Sequence, residues 1–143
     1  MWFVLSLIAA LFWGLNYVSA ERLLGKISAF TLVTLELLGT LVAMLILGIA
    51  RGSFLTDART ISNDHTLWAF LVLSVGSFAL GNLAIVLSVA AKNATLAGLV
   101  EISYPLFIVL FSWLLLGTTH LTRPVLLGAA LILAGVTVIY FAT

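Results

Sequence analysis

Apolar residues fill five long runs, Trp2 to Ala20, Ala29 to Ala50, Leu67 to Ala91, Leu96 to Gly117 and Val125 to Ala142, and most charged residues fall between them. Each run has about the 17 to 25 residues that a helix needs to cross a bilayer. An odd number of crossings puts the two ends of this chain on opposite sides. The polar stretch from Arg51 to Thr66, with Gly52, Ser53, Asp57, Arg59, Asn63, Asp64 and His65, reads as the one real loop. Lys92 and Asn93 leave so short a connection that the third and fourth helices are expected to be antiparallel neighbours. Val18-Ser19-Ala20 has the small residues of a leader cleavage site. With no basic residue before Trp2, and Trp13 and Gly14 interrupting the apolar stretch, a spanning helix is the better reading.

Composition agrees with the pattern. With 64% hydrophobic and 8% charged residues among 143, and a mean hydropathy of +1.31, the chain falls in the membrane class. The expected fold is an all-α integral membrane protein of five transmembrane helices. A net charge of +1, dispersed along the chain, argues against nucleic acid as a partner. The absence of cysteine excludes disulfides and thiolate metal sites, and no metal or other cofactor is expected. There is no metal-ligand cluster, Ser/His pairing or paired aspartate at membrane depth, so an enzyme is not expected. His65 and His120 sit among hydrophilic residues without a second ligand and read as solvated.

Two carboxylates lie inside the apolar runs. The run carrying Glu36 has 22 residues and rises about 33 Å as a helix, which puts Glu36 about 10 Å inside. An ionised group at that depth costs a few kcal/mol or more, so it faces a polar cavity, finds a partner or stays protonated. Gly39, Thr40 and Ala43 follow Glu36 at helical spacing, giving a small, polar face. Val33, Leu37, Leu41 and Met44 suit lipid or packing. The second carboxylate, Glu101, precedes Tyr104 and Pro105. Pro105 has no N–H and its ring clashes with the Glu101 carbonyl, so a kink is expected there, facing protein or a water-filled cavity.

Aromatic and small residues complete the candidate set. Trp13, Tyr17 and Glu21 share a helix face with Asn16 beside it, as a cavity wall or as interfacial anchors, and for Glu21 anchoring beside Arg22 is preferred. Trp13, Tyr17 and Tyr104 present π faces to which a cation is attracted by about 0.5 to 2 kcal/mol each, although core packing is the commoner use of such rings. Ser74, Ser77, Gly81 and Ser88 form a small-residue stripe beside Asn82, and Gly128 and Gly135 mark a packing or dimerisation face of the last helix.

Several segments carry a family resemblance. FWGLNY (Phe12 to Tyr17), ISYPLF (Ile102 to Phe107) and LLGAALILAGV (Leu126 to Val136) resemble the drug/metabolite transporter superfamily, in particular the half-length, five-helix relatives of the ten-helix EamA-type permeases. ELLGT (Glu36 to Thr40), FSWLLLG (Phe111 to Gly117) and GAALILAG resemble the small multidrug resistance transporters from the second helix onward. The first resemblance implies one EamA-like transmembrane domain over residues 1–143, half of an inverted-repeat transporter in a bacterial or archaeal plasma membrane. The second implies that Glu36, set by Gly39 and Thr40, binds cationic substrate and protons in turn.

The loops add an expectation about assembly. With the N-terminus cytoplasmic, Arg51, Arg59 and Arg123 lie inside and Arg22, Lys26 and Lys92 outside, which is no bias. Since Lys and Arg asymmetry sets orientation, the chain is expected to insert both ways and to pair as an antiparallel homodimer. The functional expectation is proton-coupled export of a cationic or amphipathic drug or metabolite. Glu36 is the shared binding group and Glu101 a second titrating or cargo-orienting group. The expected surroundings are membrane lipid and a small-molecule substrate. Two alternatives stay open: a non-transporting subunit docked onto a larger membrane complex, and a flippase for lipid-linked cargo. For Glu36 itself, the structural alternatives are an ion pair with Arg22 or Lys92 and a protonated carboxyl bonding a neighbouring helix.

Overall fold

The computed structural model describes residues 1–118 and 122–142, so His120 lies outside the described residues. The described chain is helical, with seven helices: α1 (Trp2–Leu24), α2 (Ala29–Arg51), α3 (Phe54–Ser62), α4 (His65–Ala91), α5 (Ala94–Glu101), α6 (Tyr104–Leu116) and α7 (Arg123–Ala142). Five spans are long and apolar enough to cross a membrane, with α5 and α6 together making the fourth. The protein is an all-α integral membrane protein.

Helix ends follow local chemistry. Ser28, Asp64 and Asn93 cap α2, α4 and α5 through side-chain oxygens that accept N–H bonds from Thr31, from Thr66 and Leu67, and from Leu96. Gly52 and Gly117 end α2 and α6 in the left-handed region, at φ of 72° and 65°, where a Cβ is disfavoured. α1 runs past its apolar run through Glu21 and Arg22, because polar residues at the membrane boundary do not interrupt a helix.

One expectation needs correction: Arg51–Thr66 is not a plain loop. It contains α3, whose Phe54, Leu55, Ala58 and Ile61 alternate with Asp57, Arg59 and Thr60 in the manner of a helix lying at an interface. Phe54 anchors it, since a Cβ built on Gly48 would sit 3.4 Å from the Phe54 ring. Twelve polar or turn-forming residues in sixteen disguised the short helical period.

α1 packs against α2, α4 and α5, while α7 leans on α5. The buried residues are Ala20, Ala29, Leu32, Val33, Val86, Val89, Ala94 and Ala97. All lie near the ends of α1, α2, α4 and α5 joined by residues 25–28 and 92–93, so the packed core occupies one side of the membrane. Small residues allow this: alanines at 20, 29, 94 and 97 bring the backbones close. Away from that end the helices expose their apolar side chains, and no residue of α6 or α7 is buried. Lipid tails are as apolar as leucine, so such surfaces carry no penalty in a bilayer.

Candidate functional site

Three polar groups of the membrane interior lie at one level. Glu36 is seven residues into α2 from Ala29, Glu101 seven into α5 from Ala94, and Tyr17 seven short of Leu24 at the end of α1. At about 1.5 Å per residue, all three lie about 10 Å beneath the same membrane face.

α1 meets both carboxylates through adjacent residues. Asn16 Nδ2 donates to Glu36 Oε1 at 2.9 Å, and the Tyr17 hydroxyl donates to Glu101 Oε2. Neighbours on a helix point about 100° apart, so one side chain reaches α2 and the other α5. The partner of Glu36 is therefore a neutral amide, and neither Arg22 nor Lys92 pairs with it. Glu36, Leu32, Val33 and Leu37 are buried or half-buried on α2, whereas Gly39 and Thr40, one turn further along from Glu36, are exposed.

The two carboxylates have different surroundings. A cavity of about 710 Å³ opens between α1 and the α5–α6 segment. Its α1 wall is Ala10, Trp13, Gly14, Tyr17 and Val18, a stripe at helical spacing. Glu101 and Tyr104 line the opposite wall, and Glu101 is the only charged lining residue among the described residues. The Trp13 and Tyr17 rings stand 5.8 Å apart, tilted at 48°. Thus the structure brings Trp13, Tyr17, Glu101 and Tyr104 together and leaves Glu36, Asn16, Gly39 and Thr40 outside the cavity lining.

Two residues of this arrangement escape sequence reasoning. Gly98 lets the Tyr17 ring lie against α5: a Cβ there would stand 3.2 Å from Tyr17 Cδ2 and 3.5 Å from Cε2. Glu21 accepts the Ala94 N–H at 2.6 Å, fastening α1 to the first turn of α5. Both depend on contacts more than seventy positions apart in the chain. The local signal is a glycine one turn before a carboxylate within an apolar run.

Pro105 stands beside a break in the fourth span. The fourth span parts at Ile102 and Ser103, and Pro105 sits in the first turn of α6, where a missing N–H costs least. Gly128 and Gly135 have open space around them, with nothing within 4 Å of a Cβ built at either. Asn82 turns back to donate to the Phe78 carbonyl of its own helix at 2.9 Å, and His65, the first residue of α4, is exposed.

Five spans and a laterally open cavity with a carboxylate at its wall are the anatomy of a membrane carrier, and the family comparison decides the matter. The model of the EamA-like transporter family matches residues 1–141. The chain belongs to that family. No curated protein and no solved structure matches it. As an EamA-like transporter the protein moves small molecules across a membrane, meeting lipid on its outside and substrate within, and the family is one of transporters, not enzymes.

The Asn16–Glu36 bond supplies a first prediction. Asn16→Leu strips the carboxyl of its donor in an apolar setting and is expected to lower stability by about 1 to 3 kcal/mol. Removing both partners, as Asn16→Leu with Glu36→Leu, is expected to recover most of that loss. Thermal unfolding of the four variants in one lipid or detergent checks this; equal losses in the single and double variants would contradict it.

Proposed function

We propose that this EamA-like transporter exports a cationic or amphipathic small molecule in exchange for protons, working as an antiparallel pair of copies. In this reading Glu101 is where cargo and proton compete. The observation that carries it is the cavity: about 710 Å³, in the size range of pockets for drug-like ligands, walled by three aromatic rings, with one carboxylate and no cationic residue. A cation gains there from the carboxylate and from the ring faces.

Competition follows from the valence of one oxygen. Oε2 of Glu101 is engaged by the Tyr17 hydroxyl, while Oε1 has no hydrogen-bond partner among the described residues. A proton on Oε1 removes the charge that attracts the cation, and a cation beside Oε1 favours loss of the proton. A site that prefers either ligand, but not both, couples their movements. Glu36, bonded by Asn16 through Oε1 and outside the cavity, serves the helix contact in this reading, so the weight placed on it by the ELLGT resemblance moves to Glu101.

The even distribution of Lys and Arg supports insertion in both orientations, and a second copy would close the open side of the cavity. Two experiments test the proposal. Proteoliposomes with an imposed pH gradient are expected to accumulate organic cations with wild-type protein and not with Glu101→Gln. Reporter fusions after Thr143 are expected to divide between the two sides of the membrane; a single location in essentially every molecule ends the antiparallel model.

A further inference from the structure

The break in the fourth span leaves acceptors at the cavity without their usual donors. In an unbroken helix the carbonyls of Leu99, Glu101 and Ile102 would bond the N–H groups four residues on. Pro105 has none to offer Glu101. The N–H groups of Ser103 and Leu106 bond the carbonyls of Val100 and Ser103 instead, at 3.2 and 3.0 Å. Leu99, Glu101 and Ile102 all line the cavity. On the same segment, Glu101 Oε1 is also without a partner among the described residues. Among the described residues, the donor that reaches this group, the Tyr17 hydroxyl, is already committed to Oε2.

We propose that this end of the cavity recognises a primary ammonium group through its N–H bonds, with the apolar body of the cargo lying against Trp13, Tyr17 and Tyr104. The inference rests on the cationic-cargo reading and narrows it to one class. An acceptor cluster lacking donors in a membrane is matched by a ligand that brings several. A primary ammonium brings three donors and one positive charge, which together serve the carboxylate and the freed carbonyls. A quaternary ammonium satisfies the charge and the ring faces equally well, yet it leaves every acceptor unpaired, and sites built for hydrogen bonds reject ligands that cannot make them.

The test compares 2-phenylethylammonium with its N,N,N-trimethyl form, which share a charge and an aromatic body and differ in the N–H donors. Binding is measured by calorimetry on the full chain in lipid nanodiscs, at a pH where both are cations. The primary amine is expected to bind about 10- to 100-fold more tightly, the scale of one or two charge-assisted hydrogen bonds. Pro105→Ala returns an N–H to the Glu101 carbonyl and is expected to cut that ratio severalfold while sparing the trimethyl ligand. A primary ligand with no advantage, or a ratio unmoved in Pro105→Ala protein that still binds both ligands, overturns the inference. So does competition by sodium at concentrations near those of the amine, which would assign the acceptors to an alkali cation. If both ligands bind alike and Glu101→Gln abolishes both, cationic cargo stands and only the ammonium preference falls. If neither binds, the cationic-cargo reading itself fails.

Discussion

Glu101→Gln is expected to abolish proton release when an organic cation is added to purified, lightly buffered protein, while Glu36→Gln leaves that release in place. Glutamine keeps the size of the side chain and an oxygen able to accept from the Tyr17 hydroxyl, so the helix contact persists. What disappears is the exchangeable proton and the charge at the cavity wall. Loss of a carboxylate partner for a cation in a poorly solvated site is worth about 3 kcal/mol, or a factor of about 100 in affinity. At Glu36 the same change leaves the carbonyl oxygen as an acceptor for Asn16, whose bond lies outside the cavity. Its effect is expected on stability, by about 1 kcal/mol. The reverse outcome, release lost with Glu36→Gln and kept with Glu101→Gln, would return the exchange site to α2 and leave the cavity without its proposed role.

The second large effect is expected at Gly98. An alanine Cβ there meets the Tyr17 ring at 3.2 Å, a crowding that a shift of a few tenths of an ångström relieves. Valine adds two more methyl groups against the same ring, and no such shift accommodates them. Gly98→Val is therefore expected to push the Tyr17 ring off α5, part its hydroxyl from Glu101 and destabilise the protein by about 1 to 3 kcal/mol. Organic cation binding should weaken with it, since Tyr17 is both a wall of the cavity and the donor to Glu101. Combining Gly98→Ala with Tyr17→Leu, which trims the ring, is expected to remove the small penalty of the alanine alone. Thermal unfolding and cation titration of these variants provide the check. Wild-type stability and affinity in Gly98→Val protein would show that the close approach of Tyr17 has no energetic weight.

Both effects come from the placement of α1. Its successive residues Asn16 and Tyr17 hold carboxylates of α2 and α5 at one depth, and Glu21, one turn further on, caps α5. One helix thus sets the position of both half-buried carboxylates, and a rotation of α1 would disturb both contacts at once.

Much of this molecule was legible in the chain because a bilayer imposes one-dimensional rules. Twenty apolar residues in a row must be a spanning helix, so the five spans, their order and the antiparallel contact across Lys92–Asn93 follow from run lengths alone. The burial cost of a charge singled out Glu36 and Glu101 for the same reason. Pro105 announced a discontinuity, and its missing N–H accounts for the orphaned Glu101 carbonyl. The short helix α3 was hidden because its nine residues carry too few apolar positions to stand out from a polar stretch.

Which carboxylate faces a cavity could not be read locally. Glu36 and Glu101 have the same depth and similar apolar neighbours, and they differ in what approaches from across the bundle: an amide for one, a phenol and an open space for the other. Gly98 and Glu21 gain their roles only from residues 81 and 73 positions away, Tyr17 and Ala94. Run length and the cost of buried charge are properties of single segments in lipid, and the sequence by itself determined what depends on them. Partner, cavity and donor count arise from helices meeting side by side, and only the tertiary structure decided those.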